Sequence, residues 1–128
     1  MGLDPRPRVS ESPGVGPGWL SLSRELGGTV PPEEIARIWV FPAVRRDDRD
    51  FGTAVILRRG AGDRVRVYTA RFVRIARGRE RGQCRVLIDE VAECPLDVIF
   101  EVLRGVQERM AESEPPVEIS PSVWYGSP

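Results

Sequence analysis

Lysine, histidine and asparagine are absent from this 128-residue chain, and only two cysteines occur. Without histidine or lysine there is no Ser-His-Asp or Cys-His pair, no Schiff-base amine and no Walker lysine. A non-catalytic protein is therefore expected. Cys84 and Cys94 fall at the two ends of one predicted strand, ~30 Å apart at ~3.3 Å per residue, too far to bridge. They are expected to be reduced, and with no histidine beside them they make a poor zinc site. No cofactor and no metal is expected. No apolar run approaches the ~18 residues that span a bilayer, and the N-terminus lacks a charged start followed by an apolar stretch. These absences point to a cytoplasmic protein with no membrane span.

Carboxylate chemistry is what remains. The "DDRD" at 47–50 and the Asp89–Glu90 pair could be drawn as acid/base pairs or a magnesium site, but acidic clusters of this kind are the default solvated surface of a soluble protein. "GAGD" and "GVGPG" do not sit between a strand and a helix start, so neither reads as a nucleotide loop.

All nineteen basic side chains are arginine, and they balance nineteen acids. Such wholesale use of arginine resembles a coding bias and discounts motif arguments built on it. The balance excludes the strong overall positive field of many nucleic-acid binders. Locally the charge is uneven. From Arg45 to Arg85 thirteen arginines against five acids leave +8, and from Val86 onward two arginines against nine acids leave −7.

The length fits one domain with tails. Residues 1–28 read as a flexible N-terminal extension: 1–18 are rich in Pro, Gly and Ser and cannot offset the entropy of ordering, and "WLSLSRELGG" adds a short anchoring turn. Residues 29–113 read as a single α+β domain. After a turn or two of helix at "TVPPEEIARI", four β-prone runs follow: "IWVFPAV", "TAVILRR", "RVRVYTARFVRIA" and "QCRVLIDEVAEC". Pro42 marks an edge or a bulge in the first. Links too short for a parallel crossover make them a four-stranded antiparallel β-meander. Leu96, Ile99, Phe100, Leu103, Val106 and Met110 then recur at three- and four-residue steps, predicting one C-terminal amphipathic helix packed on the sheet with Phe100 and Leu103 at its centre. Residues 114–128 read as an extended C-terminal tail. A small SH3-like barrel capped by the helix is the alternative, if Pro42 and a bulge near Thr69 to Arg71 let the sheet curl shut.

Alternation puts Val65, Val67, Thr69, Val73 and Ile75 on one face of the third strand, interrupted only by Arg71, and Arg66, Tyr68, Phe72 and Arg74 on the other. The second face combines aromatic rings with guanidinium groups, as on a surface that stacks single-stranded bases. Its plainer account is that Trp19, Trp124 and Tyr125 from the tails shield the rings, or that a protein partner does. On the helix, Val98, Val102, Gly105 and Arg109 form a second row; the glycine would admit a close backbone neighbour, or the valines merely widen the buried stripe.

Together these features predict a non-catalytic interaction or assembly subunit that contacts a larger protein partner through its tails and open sheet face. The partner-binding residues would be Trp19, Arg66, Tyr68, Phe72, Arg74, Val98, Val102, Gly105, Trp124 and Tyr125. The competing class is a single-stranded nucleic-acid-binding module on the arginine and aromatic face. A second copy of the chain is a further partner compatible with the sequence.

Overall fold

The computed structural model of the chain describes residues 8–9 and 11–124. It is an α+β fold on one antiparallel sheet. In chain order the elements are β1 (Arg8–Val9), α1 (Pro17–Gly27), β2 (Ile35–Arg46), β3 (Arg49–Arg59), β4 (Arg64–Ile75), β5 (Cys84–Pro95), α2 (Ile99–Arg109), β6 (Val117–Ile119) and α3 (Pro121–Trp124), with 3₁₀ turns at Pro32–Glu34 and Leu96–Val98. The four long strands β2 to β5 form the expected meander. Two short strands, not foreseen from sequence, lie end to end along the outer side of β2: β6 opposite Ile38 to Val40, and β1 opposite Val44 and Arg45. The sheet is thus five positions wide. Among the described residues no strand pairs with the outer edge of β5, so the sheet stays open and the SH3-like barrel is not formed. Pro42, which has no N–H to donate, falls in the gap between β6 and β1 and at a bulge, since Phe41 pairs with Thr53 but Val44 with Phe51.

β4 alternates without interruption across its twelve residues. The expected bulge near Thr69 to Arg71 is not in this strand. It lies across the ladder in β5, where Val67 pairs with Ala92 but Tyr68 with Glu90. A central strand must keep both ladders in register, whereas an edge strand has only one to disturb.

Because both faces of the sheet carry apolar side chains, the molecule has two cores. On one face Ile99, Leu103 and Val106 of α2 pack on Trp39, Phe41, Val55, Leu57, Val65 and Val67. Phe100 is not at the centre of that contact: it is 62% exposed, as Leu96 is 47% exposed. The buried stripe is narrower than the sequence pattern, and Phe100 stands at its flank, its ring 6.5 Å from Trp39 and under the Arg37 guanidinium at 5.9 Å.

On the opposite face lies α1, a three-turn helix where a flexible extension and a short anchoring turn were expected. Pro17 suits the first helical position because its missing N–H would be unpaired there anyway. The Glu11 carboxylate, from the loop before the helix, accepts a hydrogen bond from the Gly18 N–H at 3.3 Å. A helix this short is marginal alone, so its order comes from burial. Trp19, Leu22 and Leu26 are all within 1% of full burial and meet Ile38, Val40, Ile56, Tyr68 and Phe72. Each such side chain contributes about 1.5–3 kcal/mol. The C-terminal tail joins the same core through Trp124 of α3.

The Phe72 ring lies against Gly18 of α1 and Gly52 of β3. A Cβ on Gly18 would lie 2.2 Å from the ring, and one on Gly52, opposite Phe72 in β3, would also lie 2.2 Å from it. Two glycines therefore clear the slot that the ring fills.

Leu103→Ala should lower stability by about 2–5 kcal/mol in a thermal or urea melt, as deletion of a buried leucine does, while Phe100→Ala should change it by less than about 1 kcal/mol. Equal losses would place Phe100 in the core after all.

The glycines supply a second contrast. Gly52→Ala should destabilise by about 1–3 kcal/mol by overpacking the Phe72 slot. Gly105→Ala in α2, whose added Cβ would have nothing within 4 Å, should stabilise by about 1 kcal/mol through helix propensity alone.

Candidate functional site

The residues singled out from sequence fall into three places. Trp19, Tyr68, Phe72 and Trp124 are brought together, but inside the α1 core rather than on a surface. Trp19 meets Phe72 edge to face at 4.9 Å and Trp124 at 5.8 Å. With Tyr68 and Phe72 only 3% and 1% exposed, neither ring offers a face on which a base could stack. Shielding by Trp19 and Trp124, the plainer account, is what is observed. Tyr125 lies outside the described residues.

Arg66 and Arg74 flank this core, each beside a carboxylate from a neighbouring strand. Arg66 donates to Glu90 at 2.6 Å and covers the Tyr68 ring at 5.7 Å. The Tyr68 hydroxyl and Arg66 together hold the Glu90 carboxyl below the usual carboxylate range. Arg74 lies 3.8 Å from Asp50, a nearly fully buried carboxylate that Arg45 grips with two hydrogen bonds of 2.8 and 3.2 Å. Asp50 is thus no solvated loop residue, unlike its neighbours Asp47 and Asp48. On α2, Val98 and Val102 are half-buried against the second core and widen its stripe. Gly105 admits no close backbone neighbour.

A groove lies elsewhere on the sheet, and helix length explains why. An α-helix of eleven residues spans ~16 Å at ~1.5 Å per residue, whereas the twelve-residue strands beneath it run ~40 Å. α2 therefore covers one end of its sheet face and leaves the other bare. Over the bare end is a groove of about 590 Å³, floored by Val44, Phe51, Val73 and Leu87 and walled by Met110 to Glu114. A reversal at Ala111, φ 54°, directs the chain along this wall. The Ala111 N–H donates to the Glu108 carbonyl and the Glu112 N–H to the Gln107 carbonyl, so the end of α2 is closed as the chain turns.

Charge around the groove is arranged differently from the rest of the sheet. Arg37, Arg45, Arg49, Arg58, Arg64, Arg66 and Arg74 each have a carboxylate within 4 Å. Arg46, Arg71 and Arg85 line the groove, and among the described residues none of them forms such a pair. Arg71 instead points a guanidinium N–H at the Met110 sulfur, 3.5 Å away. Glu112 is half-buried at the wall; burial pushes its carboxyl up, while the Thr53 hydroxyl and Arg46 pull the other way. Among the described residues no group of three His, Cys, Asp or Glu could hold a metal ion, and no helix is long and apolar enough to cross a membrane.

One sign of the groove was present in the sequence. Arg71 interrupts an otherwise apolar face of β4, and that is the position at which the α2 core ends and the groove begins. Arg46, Arg85 and Glu112 carried no such mark, because their convergence depends on strand register and on the turn after α2.

The Glu112 shift has a consequence for stability. Its folded value lies above the ordinary 4.5, so the folded state binds more protons than the unfolded one in the interval between. This group's contribution to stability must fall as pH rises from just below 4.5 through the folded value, and level off above it. Glu112→Gln should remove that fall. The stability of the variant relative to the natural protein, followed by urea titrations from pH 4 to 7, should rise with pH; a flat difference would show that the carboxyl is not desolvated.

Compared with known proteins, the chain matches no family model, no curated protein and no solved structure.

Proposed function

We propose that the chain is a non-catalytic interaction or assembly subunit, and that the bare end of its sheet holds an extended, acidic segment of a protein partner. The observation that supports this is the groove: an apolar floor beside Arg46 and Arg71, two guanidinium groups with no carboxylate within 4 Å among the described residues. Its volume falls in the range of ligand-binding clefts, about 300–1,000 Å³. An extended peptide presents side chains alternately to two sides, so aliphatic groups can enter the floor while neighbouring carboxylates reach the rim. Arginine suits that rim because its planar fork takes a carboxylate through two hydrogen bonds. The tails, first expected to reach outward to the partner, contribute Trp19 and Trp124 to the chain's own core instead. The partner surface is accordingly assigned to the uncovered half of the α2 face.

Single-stranded nucleic acid is the competing class, and it would have to use the same arginines without the Tyr68 and Phe72 rings. Selection of displayed twelve-residue peptides on the immobilised full chain separates the two. The expected consensus alternates aliphatic residues with Asp or Glu, and binding of the selected peptides should weaken at least about 10-fold in Arg71→Glu or Arg46→Glu. Peptides indifferent to both reversals would remove the groove from the function. Tighter binding of oligothymidylate than of any selected peptide would give the site to nucleic acid.

A further inference from the structure

The twelve-residue edge of β5 is the longest stretch of sheet backbone without a strand partner among the described residues. Exposed edges of this length are usually blunted by charge or covered, because their unpaired N–H and C=O groups are a template for another strand. β5 carries charges, but their order does not repel a second copy of itself. Arg85 and Asp89 stand two residues either side of Leu87, and Val86 and Ile88 one residue either side. Register with β4 places Arg85, Leu87 and Asp89 on the α2 face, opposite Val73, Arg71 and Thr69. Val86 and Ile88 are on the α1 face, half-buried against that core. Leu87 is 48% exposed, and among the described residues neither Arg85 nor Asp89 has an ion-pair partner.

We propose that two copies of the chain pair through their β5 edges, antiparallel and with the two-fold axis through Leu87, to make one continuous sheet. In this register Leu87 meets the second copy's Leu87, Val86 meets the second copy's Ile88, and Arg85 meets the second copy's Asp89 on both sides of the axis. Opposite charges directly across an antiparallel pair attract, and like charges repel. Neighbouring registers that keep the faces aligned lose this match. Centring on Val86 sets Arg85 against Leu87, centring on Ile88 sets Leu87 against Asp89, and centring on Asp89 brings two carboxylates together. The bulge between Glu90 and Ala92 ends the regular edge, which confines the pairing to residues 84–90. An axis perpendicular to the sheet leaves both α2 helices on one side. The two grooves then open on the same surface, each with Arg46 and Arg71 free for a ligand while Arg85 is taken by the joint. This proposal is independent of what the groove binds.

Sedimentation equilibrium of the full chain tests it. The natural protein should approach twice its 14.3 kDa mass in a concentration-dependent way. Arg85→Asp and Asp89→Arg should each sediment as monomers, with self-association weakened by about 100-fold or more, since each sets like charges face to face twice. An equimolar mixture of the two variants should recover a dimer, because every apposition in the mixed pair is of opposite charge. A misfolded variant would not regain association on mixing. A natural protein that remains monomeric at its solubility limit, single variants that still dimerise, or a mixture that stays monomeric would each overturn the pairing. Peptide binding at Arg46 and Arg71 should be unchanged in Asp89→Arg, whose position lies outside the groove lining.

Discussion

Seating the Phe72 ring between Gly18 and Gly52 is the constraint on which the layered structure depends. The slot lets α1 approach β3 and β4 closely enough for Trp19, Leu22 and Leu26 to leave solvent together. Trp124 has an aromatic neighbour in α1, and β6, just before α3 in the chain, lies along the outer side of β2. Residues 17–27 and Trp124, from proline-rich segments that could not fold alone, close one side of the sheet. The face that looked like an open aromatic platform is therefore an interior.

Arginine has two roles in this molecule. Most of the guanidinium groups along the strands answer carboxylates contributed by other elements: Arg58 bonds Glu34 and the Tyr68 hydroxyl, Arg45 grips Asp50, and Arg37 reaches Glu118 on β6. Two of the pairs, Arg64 with Glu93 and Arg66 with Glu90, join the positive middle of the chain to its negative end, while Arg58 reaches back to Glu34. Exposed pairs of this kind add little stability individually. Asp50 differs, because a carboxylate so buried would be costly without the two guanidinium groups beside it.

The groove follows from a mismatch between a short helix and long strands. α2 has three buried anchors and ends at Arg109, while the sheet continues beneath it. Evolution could have lengthened the helix or shortened the strands; instead the uncovered end carries an apolar floor edged by arginines. β5 shares that end through Arg85 and Leu87, so an event at the edge and an event in the groove would act on adjoining surface.

The sequence by itself determined the elements whose signal is local. Alternation in β4 assigned its two faces correctly along twelve residues, short links made the meander antiparallel, and the three-to-four-residue spacing located α2. It also marked Pro42 as a place where the ladder must break, and Arg71 as the odd member of an apolar face. What the tertiary structure alone decided was which surfaces are covered. Whether Phe72 is a platform or a core residue turns on glycines in α1 and β3 that leave room for its ring. Phe100 left the core although it fits the stripe's spacing, because the sheet beneath α2 accepts a narrower ridge. Arg66 and Arg74 each lie beside an acid from an adjacent strand. Periodicity is a property of a few neighbouring residues, but burial and charge pairing depend on which segments meet across the sheet, and that is set by packing between parts of the chain more than a hundred residues apart.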